Sequence, residues 1–437
     1  MNFNLSRNSF QTIIFTLIGF VIAIISSIII NRGLGPEGRG LYGLLLSSLN
    51  FLMAFSQFGV PEALLFQSSK IKKKYASFCY NNILVTVAVT VLSAFLLKTL
   101  IPFIKDTILS GGHESFIWLT FIILPFNLIF IFFTRLLQLD GQLLLYNSLH
   151  LARKIINLFV IVFCFYLLGS TAKSAILGIV ITIIISVFIT LGFSWKMIRT
   201  NFVFDYLLLK ETMINGMKVH WGMINHTIGI HAATFILNFY LDLESVGIFS
   251  VAMALSGFLL VIPESIRTAL QSSIISVVEK NKEPLFFTKK VIRHIVLLLL
   301  VFNIIIIIFG PHFIIIMYGN DFSSVYYPLL ILIFGILFQA IGQLISSQLT
   351  IDGHLNWTSL SATLGVISSL IGAWLIIPIY GLHGAAISVL INHFIHFLFL
   401  FILYKKKYNA GVFEFIPTRI DIMFYVDLLS KKFKNIF

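Results

Sequence analysis

The stretch FQTIIFTLIGFVIAIISSIIINRGLGPEGRGLYG, residues Phe10–Gly43, decides how the chain is read. From Phe10 to Asn31 it carries no charged residue, and its apolar positions are continuous rather than alternating. A membrane helix needs about 20 apolar residues, so this run is long enough to span a bilayer. A glycine-rich turn with Pro36 follows, flanked by Arg32 and Arg39. A second apolar run then begins at Leu41. Two long apolar runs joined by a short polar turn predict a pair of transmembrane helices. No small-residue cleavage pattern follows the first run, so it reads as an uncleaved first span.

The same pattern recurs along the 437 residues, of which 58% are hydrophobic and 11% charged. Mean hydropathy is +1.00. Soluble proteins average about 25% charged residues, so a soluble enzyme and a disordered chain are both excluded. Twelve apolar segments are expected, at about 10–31, 41–66, 79–103, 116–138, 150–169, 174–195, 216–239, 246–270, 291–317, 325–350, 358–379 and 382–404. Long continuous runs favour helices over a β-barrel.

The net charge is +13. With the N-terminus inside, 25 of the 30 Lys and Arg residues fall on the inner side. They include Lys70–Lys74, Arg135, Arg153, Lys154 and Lys405–Lys407, and only Arg32, Arg39, Lys98, Lys105 and Lys173 fall outside. This asymmetry predicts N-in and C-in. The basic balance is thereby assigned to cytoplasmic loops and anionic lipid, with no nucleic acid implied. Cys79 and Cys164 lie in or beside apolar runs and imply neither a disulfide nor a metal site. The segments predict a six-helix N-terminal lobe (1–195), a cytoplasmic linker (196–215), a six-helix C-terminal lobe (216–404) and a tail (405–437). The linker and the tail beyond Pro417 carry apolar residues among charges and suit the membrane interface.

The two lobes look duplicated. Asp140-Gly141-Gln142-Leu143 matches Asp352-Gly353-His354-Leu355 at an offset of 212 residues. Gly40-Leu41-Tyr42 matches Gly247-Ile248-Phe249, and Val60-Pro61-Glu62 matches Ile262-Pro263-Glu264. An even number of helices separates the partners, which predicts a parallel repeat about the membrane normal.

Polar residues inside the apolar mass fall into stripes at helical spacing. His220, Thr227, His231, Thr234 and Asn238 share a face of the seventh segment. Asn8, Thr12, Gly19 and Ser26 share one of the first, and Ser47, Asn50, Ala54 and Gln57 one of the second. The eighth carries Ser250, Gly257 and Glu264, with Arg267 beside them. Such stripes face a polar cavity or pack against another helix. The histidines and asparagines favour the cavity, because a stripe crossing the whole bilayer exceeds what one packing contact needs. Glu264 and Arg267, and Glu62 in the repeat position, fit either a gate or coupling carboxylate or a plain interfacial pair. His220 and His231 are three turns apart, too far to share a metal ion. The short outer loops hold no catalytic signature and there is no phosphate-binding loop, so neither an enzyme nor a cofactor is expected.

Asn31–Gly43, Gly247–Ala252, Tyr318–Phe322 and Pro378–Ser388 together resemble the Wzx-type polysaccharide flippases. These belong to the multidrug/oligosaccharidyl-lipid/polysaccharide exporter superfamily. The resemblance covers nearly the whole chain. It implies two pseudo-symmetric six-helix lobes around a central cavity in the cytoplasmic membrane. It also implies alternating-access transfer of an undecaprenyl-diphosphate-linked oligosaccharide repeat unit, as for O-antigen or capsule, from the inner to the outer leaflet. A polysaccharide polymerase and chain-length proteins are the partners it implies. Arg267 and the seventh-segment His and Asn residues would meet the anionic substrate. Peptidoglycan-lipid flippases of the superfamily have two more spans and several arginines inside the first two. This chain has no central Arg there, which argues against that precursor. A cation-coupled multidrug exporter is the alternative, with Glu62 as its one candidate carboxylate in the first lobe. A membrane glycosyltransferase or polymerase is a more distant one.

Overall fold

A computed structural model describes residues 7–61, 74–104, 114–198, 203–261, 263–264, 284–421 and 423. Nearly all of them are helical, and no strand occurs among them. The helices are α1 (Arg7–Ser56), α2 (Tyr75–Ile104), α3 (Glu114–Leu139), α4 (Leu143–Leu168), α5 (Ala172–Ile198), α6 (Tyr206–Tyr240), α7 (Leu243–Phe258), α8 (Pro284–Tyr318), α9 (Tyr326–Ile351) and α10 (Leu355–Tyr408). Among the described residues, eight helices are long and apolar enough to cross a membrane. The chain is a multi-pass membrane protein. Val91, Phe95, Phe159, Phe163, Ile308 and Ile379 are among many large apolar side chains left exposed, an arrangement suited to lipid.

Two of the long helices each contain two of the apolar segments read from the sequence. α1 breaks at Gly35 (φ 64°, ψ 178°), and α10 breaks at Gly381 (φ 55°, ψ −127°). Pro36 follows the first break and starts the next helical segment, where its missing N–H goes unneeded.

The chain divides into two compact units. Unit 1 comprises Met1–Ser250 and Met317–Phe322, and unit 2 comprises Val251–Ile316 and Ser323–Phe437. In unit 1, more than half of the membrane-spanning stretch of α3 is buried. Its Leu124, Leu128, Phe130, Phe132, Phe133 and Leu136 pack with Tyr42, Leu45 and Leu49 of α1 and Ile176 and Ile183 of α5. In unit 2, Ile292, Ile295 and Leu299 of α8 meet Ala340, Leu344 and Ile345 of α9 and Leu400, Phe401 and Tyr404 of α10.

The Asp-Gly repeat is a pair of matching helix caps. After α3, the Gly141 N–H donates to Gln138 O at 3.1 Å and the Gln142 N–H to Leu137 O at 3.0 Å. After α9, the Gly353 N–H donates to Thr350 O at 3.1 Å and the His354 N–H to Leu349 O at 2.8 Å. Every partner is shifted by the same 212 residues. Both glycines take the left-handed conformation such a cap demands, with φ of 84° and 85°. Gly353→Ala is expected to cost about 1–2 kcal/mol, since a side chain is unfavourable there. A lowered unfolding midpoint of the purified protein in detergent would report it. An unchanged midpoint would remove the cap from the account of unit 2.

The linker enters α6 through a polar knot. Asp205 caps the helix by accepting from the Leu208 N–H at 2.9 Å and pairs with Lys74 at 2.5 Å. Asn81 donates to the Asp205 carbonyl at 2.8 Å. The Lys74 ammonium, then the Leu208 N–H, hold the Asp205 carboxyl below its ordinary value of 3.8. A depressed carboxylate contributes stability above the unfolded value and loses it as pH falls through the folded one. Proteolytic protection of this segment should therefore be constant above pH 3.8 and fall below it. In D205N that acid-induced step should vanish.

Residues 412–421, after α10, fold back onto α8 and α10 within unit 2. Glu414 pairs with Lys289 of α8, and Asp421 lies 3.4 Å from the Arg293 guanidinium. Phe415 meets the Phe401 ring edge-on and packs at a tilt against Tyr404.

Candidate functional site

The polar stripe of α6 meets the stripe of α1 beyond its kink. The Asn50 amide donates to His231 Nε2 at 3.4 Å, leaving Nδ1–H to donate to the Ser47 hydroxyl at 3.1 Å. His220 is fully buried and its Nε2–H donates to the Ala54 carbonyl at 2.5 Å. The seam is thus a line of helix–helix hydrogen bonds, with Asn50 still exposed on its edge. Thr234 and Asn238 are buried farther along α6, and the Thr227 hydroxyl turns back to Met223 O at 3.0 Å. Gln57 is half-buried in the turn that ends α1.

Close backbone contacts bracket this seam. A Cβ added to Gly40 would lie 1.8 Å from the Leu243 carbonyl oxygen, and one on Gly247 would lie 1.9 Å from that of Pro36. At the other end Gly59 faces Gly216, with a Cβ-to-carbon approach of 2.1 Å. Nineteen residues separate Gly40 from Gly59. At 1.5 Å per residue that is about 28 Å, close to the thickness of the hydrocarbon layer. Beside the first contact, Arg32 donates to the Met317 carbonyl at 2.9 Å and Ser27 shares a hydrogen bond with Tyr318 at 3.2 Å. A cation there satisfies the last carbonyls of α8.

The stripe of α1 before the kink faces a different partner, α4. Asn147 donates to Thr12 Oγ1 at 3.0 Å. One heptad on, the Lys154 ammonium reaches Gly19 O at 3.4 Å, and its stem fills the space Gly19 leaves.

Arg153 and Lys154 correct the sequence reading. The charge asymmetry assigns them to the inner side, but α4 starts at Leu143 and places them ten and eleven residues inside a 26-residue apolar helix. Arg153 donates to Asn127 Oδ1 at 2.7 Å and lies over the Phe130 ring. From there a ladder continues between α3 and α4. Phe130 meets His150, His150 meets Tyr146, and Tyr146 lies under Arg135. Arg135 also donates to Gln138 at 2.7 Å. α4 and α5 contain no acidic residue, and α3 has only Glu114 at its far end. Unit 1 therefore holds a run of cations, arginine over aromatic ring, and the one carboxylate of the two helices that build it is Glu114, at the far end of α3.

Among the other expected site residues, the Asn8 side chain, Glu62 and Arg267 lie outside the described residues. Glu264 is half-buried in unit 2, its N–H donating to Leu260 O at 2.9 Å.

Residues 5–270 match the family model described as polysaccharide biosynthesis protein. The chain belongs to that family. No curated protein matches it. Among solved structures, an inward-facing MATE multidrug resistance transporter of the MOP superfamily superposes with a TM-score of 0.73 at 15% identity. The match covers 92% of this chain and all of that one. A MOP superfamily transporter from Pyrococcus furiosus gives 0.65 at 16% identity, covering 92% and 96%. The lipid II flippase MurJ in an inward closed conformation gives 0.62 at 15% identity, covering 98% and 99%. At these identities the likeness establishes the fold. This polysaccharide biosynthesis family member has the fold of the MOP transporters, in agreement with the flippase resemblance of its sequence.

Proposed function

We propose that the protein transfers an undecaprenyl-diphosphate-linked oligosaccharide repeat unit from the inner to the outer leaflet of the cytoplasmic membrane. The reading rests on Arg153 and Lys154, set deep in α4 with no acidic residue in that helix or in α5. Ionisable side chains at such depth are costly and mark a substrate path. A guanidinium held against α3 and an ammonium held against α1 suit a diphosphate, which offers several acceptor oxygens and two or more negative charges. Neutral hydrogen-bonding groups nearby, Thr12, Asn127 and Asn147, suit sugar hydroxyls.

In this mechanism the chain crosses twelve times, N-in and C-in, as two six-helix lobes (1–195 and 216–404) joined by the linker and followed by the cytoplasmic tail. The lobes rock, the headgroup passes through the polar space, and the lipid tail stays in the bilayer. The Gly40–Gly247 and Gly59–Gly216 contacts act as closures at the two faces and open in turn. Membrane lipids surround the chain, and a polymerase with its chain-length protein consumes the product outside.

Deletion of the gene tests the proposal. Surface polysaccharide should disappear and the lipid-linked unit should accumulate on the inner leaflet. Normal surface glycan with no accumulating precursor would reject it. Loss of resistance to a cationic dye in the same strain would point to the drug-exporting reading.

A further inference from the structure

The strap that follows α10, residues 412–421, turns its two carboxylates inward. Glu414 pairs with Lys289 and accepts from the Gly411 N–H at 2.9 Å. Asp421 is buried, accepts from the Thr418 N–H at 2.9 Å and the Thr418 hydroxyl at 2.6 Å, and faces Arg293. These are the only acids of residues 405–421. The apolar side chains do the opposite. Phe415 is buried, but Val412, Phe413, Ile416 and Ile420 are exposed, Phe413 by 84% and Ile420 by 80%. Lys405, Lys406 and Arg419 are exposed as well and have no acidic partner among the described residues, whereas Lys407 is paired with Asp352.

The strap lies at the level where two apolar spans end. Its partners on α8, Lys289 and Arg293, stand in the first turns of the span Thr288–Tyr318. Its partners on α10, Phe401 and Tyr404, stand in the last turns of the span Asn356–Tyr408. Arg293 is five residues from Thr288 and Phe401 is seven from Tyr408, which is about 8 and 10 Å along the helices. Interfacial segments sink about 5–10 Å into the boundary between headgroups and acyl chains, so the depth matches. Four exposed large apolar side chains within nine residues have a reason there that they lack in water.

We propose that the strap is a bilayer-binding surface for anionic phospholipid. Val412, Phe413, Ile416 and Ile420 enter the acyl boundary, and Lys405, Lys406 and Arg419 meet headgroup phosphates. The charge pattern selects the lipid. With Glu414 and Asp421 held inward, the outward face offers cations alone, which an anionic surface attracts and a zwitterionic one attracts far less. The same two acids grip Lys289 and Arg293, so a strap seated in lipid also fastens the start of α8 to the end of α10. The site needs only that these two helices span the membrane, and it stands whether or not the protein moves a glycan lipid.

The test uses the full-length protein in vesicles of phosphatidylcholine, alone or with about 30% phosphatidylglycerol. F413C and I420C each carry a bimane label, and wild type labelled in parallel sets the background, because Cys79 and Cys164 are buried. In the anionic vesicles, lipid with brominated acyl chains is expected to quench both labels at least about twofold, with aqueous iodide reaching neither. In phosphatidylcholine alone the lipid quenching should fall by about half or more. In R419Q and in K405Q/K406Q, the phosphatidylglycerol fraction needed for half-maximal quenching should rise about threefold. Iodide quenching in both kinds of vesicle would place the strap in water and overturn the proposal. Labels that neither quencher reaches would show a second copy or another part of the chain covering the strap, and would overturn it too. Equal lipid quenching with and without phosphatidylglycerol, or charge variants that titrate like wild type, would overturn the assignment of anionic lipid.

Discussion

Lys154→Ala and Arg153→Ala are each expected to reduce glycan export by about 10- to 100-fold, with the protein still present in the membrane. The magnitude follows from losing one charge-assisted contact to a desolvated phosphate, worth about 1.5–3 kcal/mol. Lys154 offers the cleaner variant, because its ammonium is exposed and has no carboxylate to strand. Lys154→Arg should retain most activity, since the charge stays beside Gly19 of α1. Arg153 needs a further control, because its removal leaves the buried Asn127 Oδ1 without its donor. The paired change R153M/N127L replaces both partners with apolar groups of similar length and removes that penalty. If Arg153 merely holds α4 to α3, the pair restores export. If it binds substrate, export stays low while thermal stability recovers. Export is read as surface polysaccharide per cell, alongside the lipid-linked precursor retained inside.

The second large effect concerns the close contact of α1 with α7. Gly40→Ala puts a methyl group 1.8 Å from the Leu243 carbonyl oxygen, and backbone at both sides leaves no flexible side chain to yield. The helices must separate, at a cost of about 1–3 kcal/mol, which depopulates the closed arrangement about 5- to 150-fold. Export should fall by at least about tenfold. Spin labels at the exposed Glu37 and Glu244 should show a longer and broader distance distribution in G40A. Gly257→Ala is the matched control, because a Cβ there meets nothing within 4 Å. Equal distance distributions in wild type and G40A would show that this contact does not govern the closure.

These two sites differ in how far they could be read from the sequence. The kinked helix pair was plain in Gly35-Pro36 between two uncharged runs, because glycine and proline restrict the backbone whatever packs around them. The Asp-Gly caps repeat for the same reason. The pairing of Ser47 and Asn50 with His231 was half legible: helical spacing gave the faces, and only the fold shows that they meet each other. Arg153 and Lys154 were missed through a boundary. The apolar segment expected at 150–169 starts seven residues after the first residue of α4, which sets Arg153 and Lys154 near the edge of the expected span. Charge counting then absorbed them, because it weighs a cation by its position along the chain and takes no account of what it faces.

The fold-back at the chain end has a consequence for biogenesis. Lys289 with Glu414 and Arg293 with Asp421 join positions more than 120 residues apart. Neither pair can form until Glu414 and Asp421 have left the ribosome. The start of α8 must therefore wait in the membrane without these two pairs while the more than 120 residues that follow it are made. A stop codon, frameshift or fusion placed near residue 410 would look harmless on a linear map. It would instead leave quality-control proteases a unit that never received its final fastening.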